Sequence, residues 1–144
     1  MINRPCKFND SPAGILSVLD TSEFNFFETG SRFFKTASIN SDWDFFVEDS
    51  NAVIDFLNLN GFYQSFNCEH YGDVACSSIF EGNFDGKIIH VQIVDSAWME
   101  IKKKAHEVIV LHNYHLVFKS DKVLAKAMWS VIMRTLYFKK LDKS

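Results

Sequence analysis

The sequence predicts an α/β domain: a mixed sheet flanked by helices, with a helical pair at its C-terminal end. Three observations carry that expectation. Runs rich in Phe, Trp, Ile and Val at 23–29, 42–47 and 87–94 have strand composition. Segments of helical period lie between and after them. The chain of 144 residues, 47% hydrophobic and 15% aromatic, has no internal repeat, low-complexity tract or Pro/Gly/Ser linker, which suits one domain with its own core. That domain is expected to span 1–144, with an α/β core over about 8–95 and a basic helical part over about 96–144.

Each element has its own reason. Ser11-Pro12 has the form of a helix N-cap followed by proline, and Ile15, Leu16, Val18 and Leu19 give the apolar side of a helix running to about Asp20. Phe24, Phe26 and Phe27 mark a first strand over 23–29, closed by Gly30. A second strand is expected over 42–47, after which Ser50 or Asn51 caps a helix ending at Gly61. Phe62 to Phe66 and Ser77 to Asn83 read as strands, with Asp85-Gly86 turning the latter into Lys87–Val94. From Ser96 to about Leu111 the period is helical, with Trp98, Ile101, Ala105 and Val108 on one side and Lys102, Lys103, Lys104 and Glu107 elsewhere. Ser120 is placed to cap a last helix whose apolar stripe is Leu124, Met128, Val131, Ile132 and Leu136. Asn113 to Lys119 fits either a link or more helix.

The formal charge of −3 hides an asymmetry. Residues 1–96 carry five cations against fourteen acids, a balance of −9, whereas residues 97–144 carry ten cations against four acids, a balance of +6. Such polarity suits a phosphate-rich partner, although solvated helical lysines explain the same count. No run approaches the roughly 18 apolar residues of a membrane helix, and the polar N-terminus does not read as a secretion signal. A cytoplasmic protein with no membrane partner is the expectation. Cys6, Cys68 and Cys76 read as free thiols, and Cys68-x-His70 with Cys76 is a weak zinc pattern lacking a fourth ligand.

The stretch from Thr29 to Val47 carries the chemistry. A strand ends in Gly30-Ser31, small enough for its backbone amides to approach phosphate oxygens. Eleven residues beyond Ser31, a strand begins Asp42-Trp43-Asp44. Carboxylates at i and i+2 share one face of a strand, with Phe45 and Val47 on the other. Two such acids repel each other unless a cation lies between them, and hard oxygen ligands suit magnesium or manganese.

Gly30-Ser31, Thr36-Ala37 and Ser41-Asp42-Trp43-Asp44-Phe45-Phe46-Val47 together resemble the signature of the nucleotidyltransferase superfamily, the DNA polymerase beta-like fold. The resemblance covers some twenty residues directly, and the order of elements is compatible over about 8–95. It implies that Gly30 and Ser31, with Arg32 and Lys35 beside them, bind the triphosphate of a nucleotide such as ATP, and that Asp42 and Asp44 hold Mg2+ or Mn2+. The implied reaction transfers a nucleoside monophosphate from a nucleoside triphosphate to an acceptor hydroxyl on an RNA end, a protein or a small molecule. A homodimer or a protein partner would complete so small a site. Two departures stand out. Lys35 occupies a place where many small members have glycine. The third carboxylate such members draw from a later strand falls on Gln92, a poor ligand and no base, with Asp95 and Glu81 as substitutes only after rearrangement. His90 shares the parity of Gln92 and so faces the same cleft, as a base or a phosphate donor. The competing expectation is therefore a catalytically impaired relative that binds or regulates a partner, antitoxin-like. A third, nucleic-acid binding without catalysis, rests on the +6 segment.

Overall fold

A computed structural model describes residues 14–34, 37–38, 40–65, 76–117 and 121–142. Its elements, in chain order, are α1 (Ile15–Thr21), β1 (Phe27–Thr29), α2 (Gly30–Phe33), β2 (Trp43–Glu48), α3 (Asn51–Leu59), β3 (Tyr63–Ser65), β4 (Cys76–Phe84), β5 (Lys87–Val94), α4 (Ser96–Leu111), α5 (Tyr114–Val117) and α6 (Lys122–Asp142). The strands form one five-stranded mixed sheet in the order β1-β2-β5-β4-β3. Only β2 and β5 run parallel; the other three pairings are antiparallel. The expected α/β class is what the chain adopts.

β2 shows why the sheet is buried on both faces. Phe45 and Phe46 point to opposite sides, and both are fully buried. Phe45, Val47, Val91 and Ile93 meet Ile15, Leu16 and Leu19 of α1 and Val53 and Leu57 of α3. On the other face, Phe46 and Phe27 stack with ring centroids 5.2 Å apart and pack with Val94 against Met99 of α4. Helices thus cover both faces, and α4 packs against α6 through Ile101, Ala105 and Met133. Removing a ring such as Phe45 from a core of this kind costs about 3–5 kcal/mol.

Local chemistry sets the boundaries. Ser50 Oγ accepts the Val53 amide at 3.1 Å and caps α3. In the β4–β5 hairpin, Asp85 and Gly86 take φ of 55° and 78°, and Asn83 Oδ1 accepts the Gly86 amide at 3.0 Å. That is the left-handed pair a tight two-residue turn needs.

Several expectations shift. β1 is shorter than 23–29, because Phe24 leaves the sheet to pack on Phe26 and Phe56. Asn113, at φ 56°, ends the run of α4, and a separate turn of helix, α5, follows. Asp121 supplies a cap to α6, through Oδ1 on the Leu124 amide at 3.0 Å; Ser120, the expected cap, lies outside the described residues. Ser11, Pro12, Cys6, Cys68 and His70 also lie outside them, so the zinc pattern does too.

The helical faces need correction. On α4, Lys102 and His106 are buried with Ile101, Ala105 and Ile109, whereas Val108 is only half-buried. On α6, Leu124 and Val131 stay 50% and 63% exposed, and Ala125 and Met133 take the buried places. Both helices are rotated by about one residue from the stripe that hydrophobicity alone selects, since each is packed against a neighbour rather than a uniform apolar layer. Among the described residues, no helix is long and apolar enough to cross a membrane.

Candidate functional site

β1, β2, β5, β4 and β3 place one residue each in a row across the sheet: Thr29, Asp44, His90, Glu81 and Tyr63 are successive register partners. Their side chains lie on one face because cross-strand partners share orientation. Tyr63 Oη donates a hydrogen bond to Glu81 Oε2. Glu81 Oε1 meets His90 Nε2 at 2.8 Å. On the far side of the ring, His90 Nδ1 approaches Asp44 Oδ1 at 3.5 Å and Asp42 Oδ2 at 3.7 Å. Asp42 and Asp44 therefore converge on one point, as their i, i+2 spacing predicts.

The register also corrects the position of Gln92. It pairs with Phe46, two residue pairs beyond the Asp44–His90 level. His90 and Glu81 stand in line with the carboxylates in register, but Glu81 contacts the far nitrogen of His90, so the imidazole separates it from Asp42 and Asp44, whereas Gln92 lines the cavity with them. Asp95 lies past the end of β5 at the start of α4. Register depends on how β5 pairs with β2, and parity along one strand cannot supply it.

Electrostatics follow from this crowding. Asp44, then Glu81 and Asp42, push the His90 imidazole up to about 9 against the pull of burial. His90 is thus an imidazolium at neutral pH, a donor and not a base. Burial, with repulsion from Asp44 and Glu81, raises Asp42 above the ordinary carboxyl range, and the charge of His90 partly offsets the effect. Tyr63, then His90, hold Glu81 below its ordinary value. A raised histidine value stabilises the fold fully below its unfolded value of about 6.5 and loses that contribution as pH rises through about 9. Urea unfolding should therefore show up to about 3 kcal/mol lost between pH 6.5 and pH 10 through this group, and the His90→Asn difference should vanish at the alkaline end.

Gly30 fixes the other wall. Its φ is 71°, and a Cβ built there would lie 2.9 Å from Asp44 Cβ and overlap the carboxylate. Glycine is required twice over, by conformation and by space. Arg32 is not where a phosphate ligand would be. Its guanidinium lies 3.7 Å over the Trp43 ring and Nη2 donates to Ser41 O at 2.8 Å, so it pins the loop before β2 instead of entering the cavity. Ser41 Oγ in turn accepts the Ser38 amide at 2.8 Å. Lys35 lies outside the described residues.

Between these parts opens a cavity of about 370 Å3, lined by Gly30, Ser31, Asp42, Asp44 and Gln92, by Phe34 and the 38–41 loop, and by Ala125, Lys126, Trp129 and Ser130 of α6. The last four are what sequence reasoning missed. Their helical period read as packing, and nothing in it says that α6 crosses the mouth of a cleft built 80 residues earlier. Within the basic 97–144 part, Lys126 reaches the cavity and Lys102 is buried behind it.

No protein-family model, curated protein or solved structure matches the chain. The reading of the site therefore rests on its residues and geometry. Among the described residues, no group of three or more His, Cys, Asp and Glu side chains forms a ready metal-holding cluster. Asp42 and Asp44 nonetheless fit a hard cation as a pair: oxygen donors, on one face, converging, in a cavity large enough for phosphate and water to complete the shell.

Proposed function

We propose that the chain is a metal-dependent nucleotidyltransferase, moving a nucleoside monophosphate from a nucleoside triphosphate to an acceptor hydroxyl. The observation that supports it best is the shared cavity: Asp42 and Asp44 face the Gly30-Ser31 turn across a space of about 370 Å3, with Gly30 held where only glycine fits beside Asp44. The resemblance of Thr29 to Val47 to the superfamily signature points to the same residues.

In this reading Asp42 and Asp44 hold Mg2+ or Mn2+, which neutralises charge on the phosphates when bound. Ser31 and the backbone at the turn place the triphosphate, and Lys126 adds a cation from α6. The His90 imidazolium keeps the two carboxylates from repelling each other apart. The acceptor oxygen forms a bond to the α-phosphorus, the bond from that phosphorus to the pyrophosphate oxygen breaks, and the hydroxyl proton leaves to solvent. Pyrophosphate is the second product.

A second reading has its own observation. His90 places a cation in front of Asp42 and Asp44, where the implied reaction calls for metal and a third carboxylate. In that case the domain binds nucleotide or a partner and transfers nothing. Incubation with each labelled nucleoside triphosphate, with Mg2+ or Mn2+, total RNA and total cell protein as acceptors, separates the two. Metal-dependent labelling that EDTA stops is the expected result. Retained nucleotide without labelling under either metal gives the second reading its place, and neither binding nor labelling overturns the transferase reading and the nucleotide half of the second.

A further inference from the structure

One wall of the cavity is backed by a polar pair the proposed chemistry does not use. Lys102 is 1% exposed and Gln92 7%, and Lys102 Nζ donates to Gln92 Oε1 at 3.1 Å. An ammonium only donates, so the amide atom that meets it must be the oxygen. The amide is thereby fixed, with Nε2 as the group Gln92 has left to offer. Among the described residues Nε2 has no protein partner, and Gln92 lines the cavity. Lys102 itself lies 5.5 Å over the Phe46 ring and 5.8 Å over that of Trp129, an apolar setting that strengthens its pull on the amide.

Position decides what this donor meets. The carboxylates and Ser31 gather the charged end of a ligand at the Asp44–His90 level, whereas Gln92 lies two pairs further along the strands, beside Phe46. Phe34 and Trp129 line the same cavity, with ring centroids 6.0 Å apart and edge-on to each other. Aromatic rings and a neutral donor suit a nucleobase better than a phosphate.

We propose that Gln92, oriented by Lys102, selects the nucleotide by its base, favouring one that presents a carbonyl oxygen, guanine or uracil, over one that presents an amino group, adenine or cytosine. This rests on the nucleotide-binding reading above and adds the substrate class. Gln92 is the specificity-determining residue, and Lys102 is a positioning residue that acts through it. An amino group facing Nε2 leaves two donors opposed, which costs roughly a factor of ten in affinity.

Equilibrium binding of UTP, CTP, GTP and ATP, each with Mg2+, to the full chain tests the proposal. UTP and GTP should bind about tenfold tighter than CTP and ATP. Gln92→Glu keeps the contact with Lys102 but offers only acceptors, so the UTP to CTP ratio should reverse. Lys102→Met frees the amide to turn, so the ratio should fall toward one. Circular dichroism of both variants establishes that they fold, and the ratio between bases is a readout that simple loss of structure does not move. Equal binding of all four by the unaltered chain, or an unchanged ratio in both variants, overturns the base-selection proposal alone. Binding of none overturns the nucleotide-binding reading as well.

Discussion

Asp44→Asn should reduce nucleotidyl transfer by about a thousandfold while leaving the fold in place. The side chain keeps its shape but loses the charge through which it is proposed to hold a cation. Because Asp44 lies on the cavity wall and not in the apolar layers, the far-ultraviolet spectrum should not change. Gly30→Ala should approach the same loss by another route. The new Cβ overlaps the Asp44 carboxylate and must adopt φ 71°. The left-handed conformation costs about 1–2 kcal/mol of stability, and a displacement of the carboxylate by about 1 Å costs about a hundredfold in rate. The two variants differ in what they spare. At pH 10, where His90 is neutral, Asp44→Asn should unfold near the wild-type urea concentration, and Gly30→Ala clearly below it; at neutral pH Asp44→Asn also loses the stability that its contact with His90 supplies. Transfer by Asp44→Asn at the wild-type rate would remove this carboxylate from the mechanism.

The second large effect is acid instability caused by His106. Its ring stacks on Phe33 at 4.0 Å between centroids and meets Phe46 and Trp129 edge-on. Among the described residues neither nitrogen has a hydrogen-bond partner, and burial, with the nearby Lys102 charge, pushes the group down to about 3. The folded protein therefore carries this histidine neutral, whereas the unfolded chain takes up a proton below about 6.5. Between those values the unfolded state binds more protons, so stability falls as pH falls, by about 1.4 kcal/mol per pH unit. Urea unfolding of the wild type should thus lose about 3 kcal/mol between pH 7 and 4.5 through this group alone. His106→Leu keeps an apolar side chain of similar size and cannot titrate, so its curve should be flatter over the same range. Parallel curves for the two proteins would mean that His106 is not buried as a neutral ring.

His106 also shows where sequence reading stops. A histidine at helical spacing among lysines gives no sign of its partners, because its ring belongs to a cluster assembled from α2, β2, α4 and α6. Lys102 is the same case. Three consecutive lysines in a 16-residue helix look solvated, yet one of them must point at whatever α4 covers, and what it covers is Gln92. Arg32 followed Gly-Ser and invited a phosphate role, but Trp43 offered its cation a closer surface. Elsewhere the local signals were sufficient. Asp85-Gly86 specified its hairpin because few dipeptides accept two left-handed residues. Ser50 specified the start of α3 because its hydroxyl satisfies a free amide.

What the sequence determined by itself was the α/β class, most element boundaries and the pairing of Asp42 with Asp44. Each depends on residues within a few positions of one another, through period, turn chemistry and strand parity. The tertiary structure alone decided that His90 and Glu81 align with those carboxylates, that Lys102 holds Gln92, and that Lys126 and Trp129 close the cavity. These depend on strand register and helix crossing, which sum weak contacts over the whole core, so no short stretch of chain carries them.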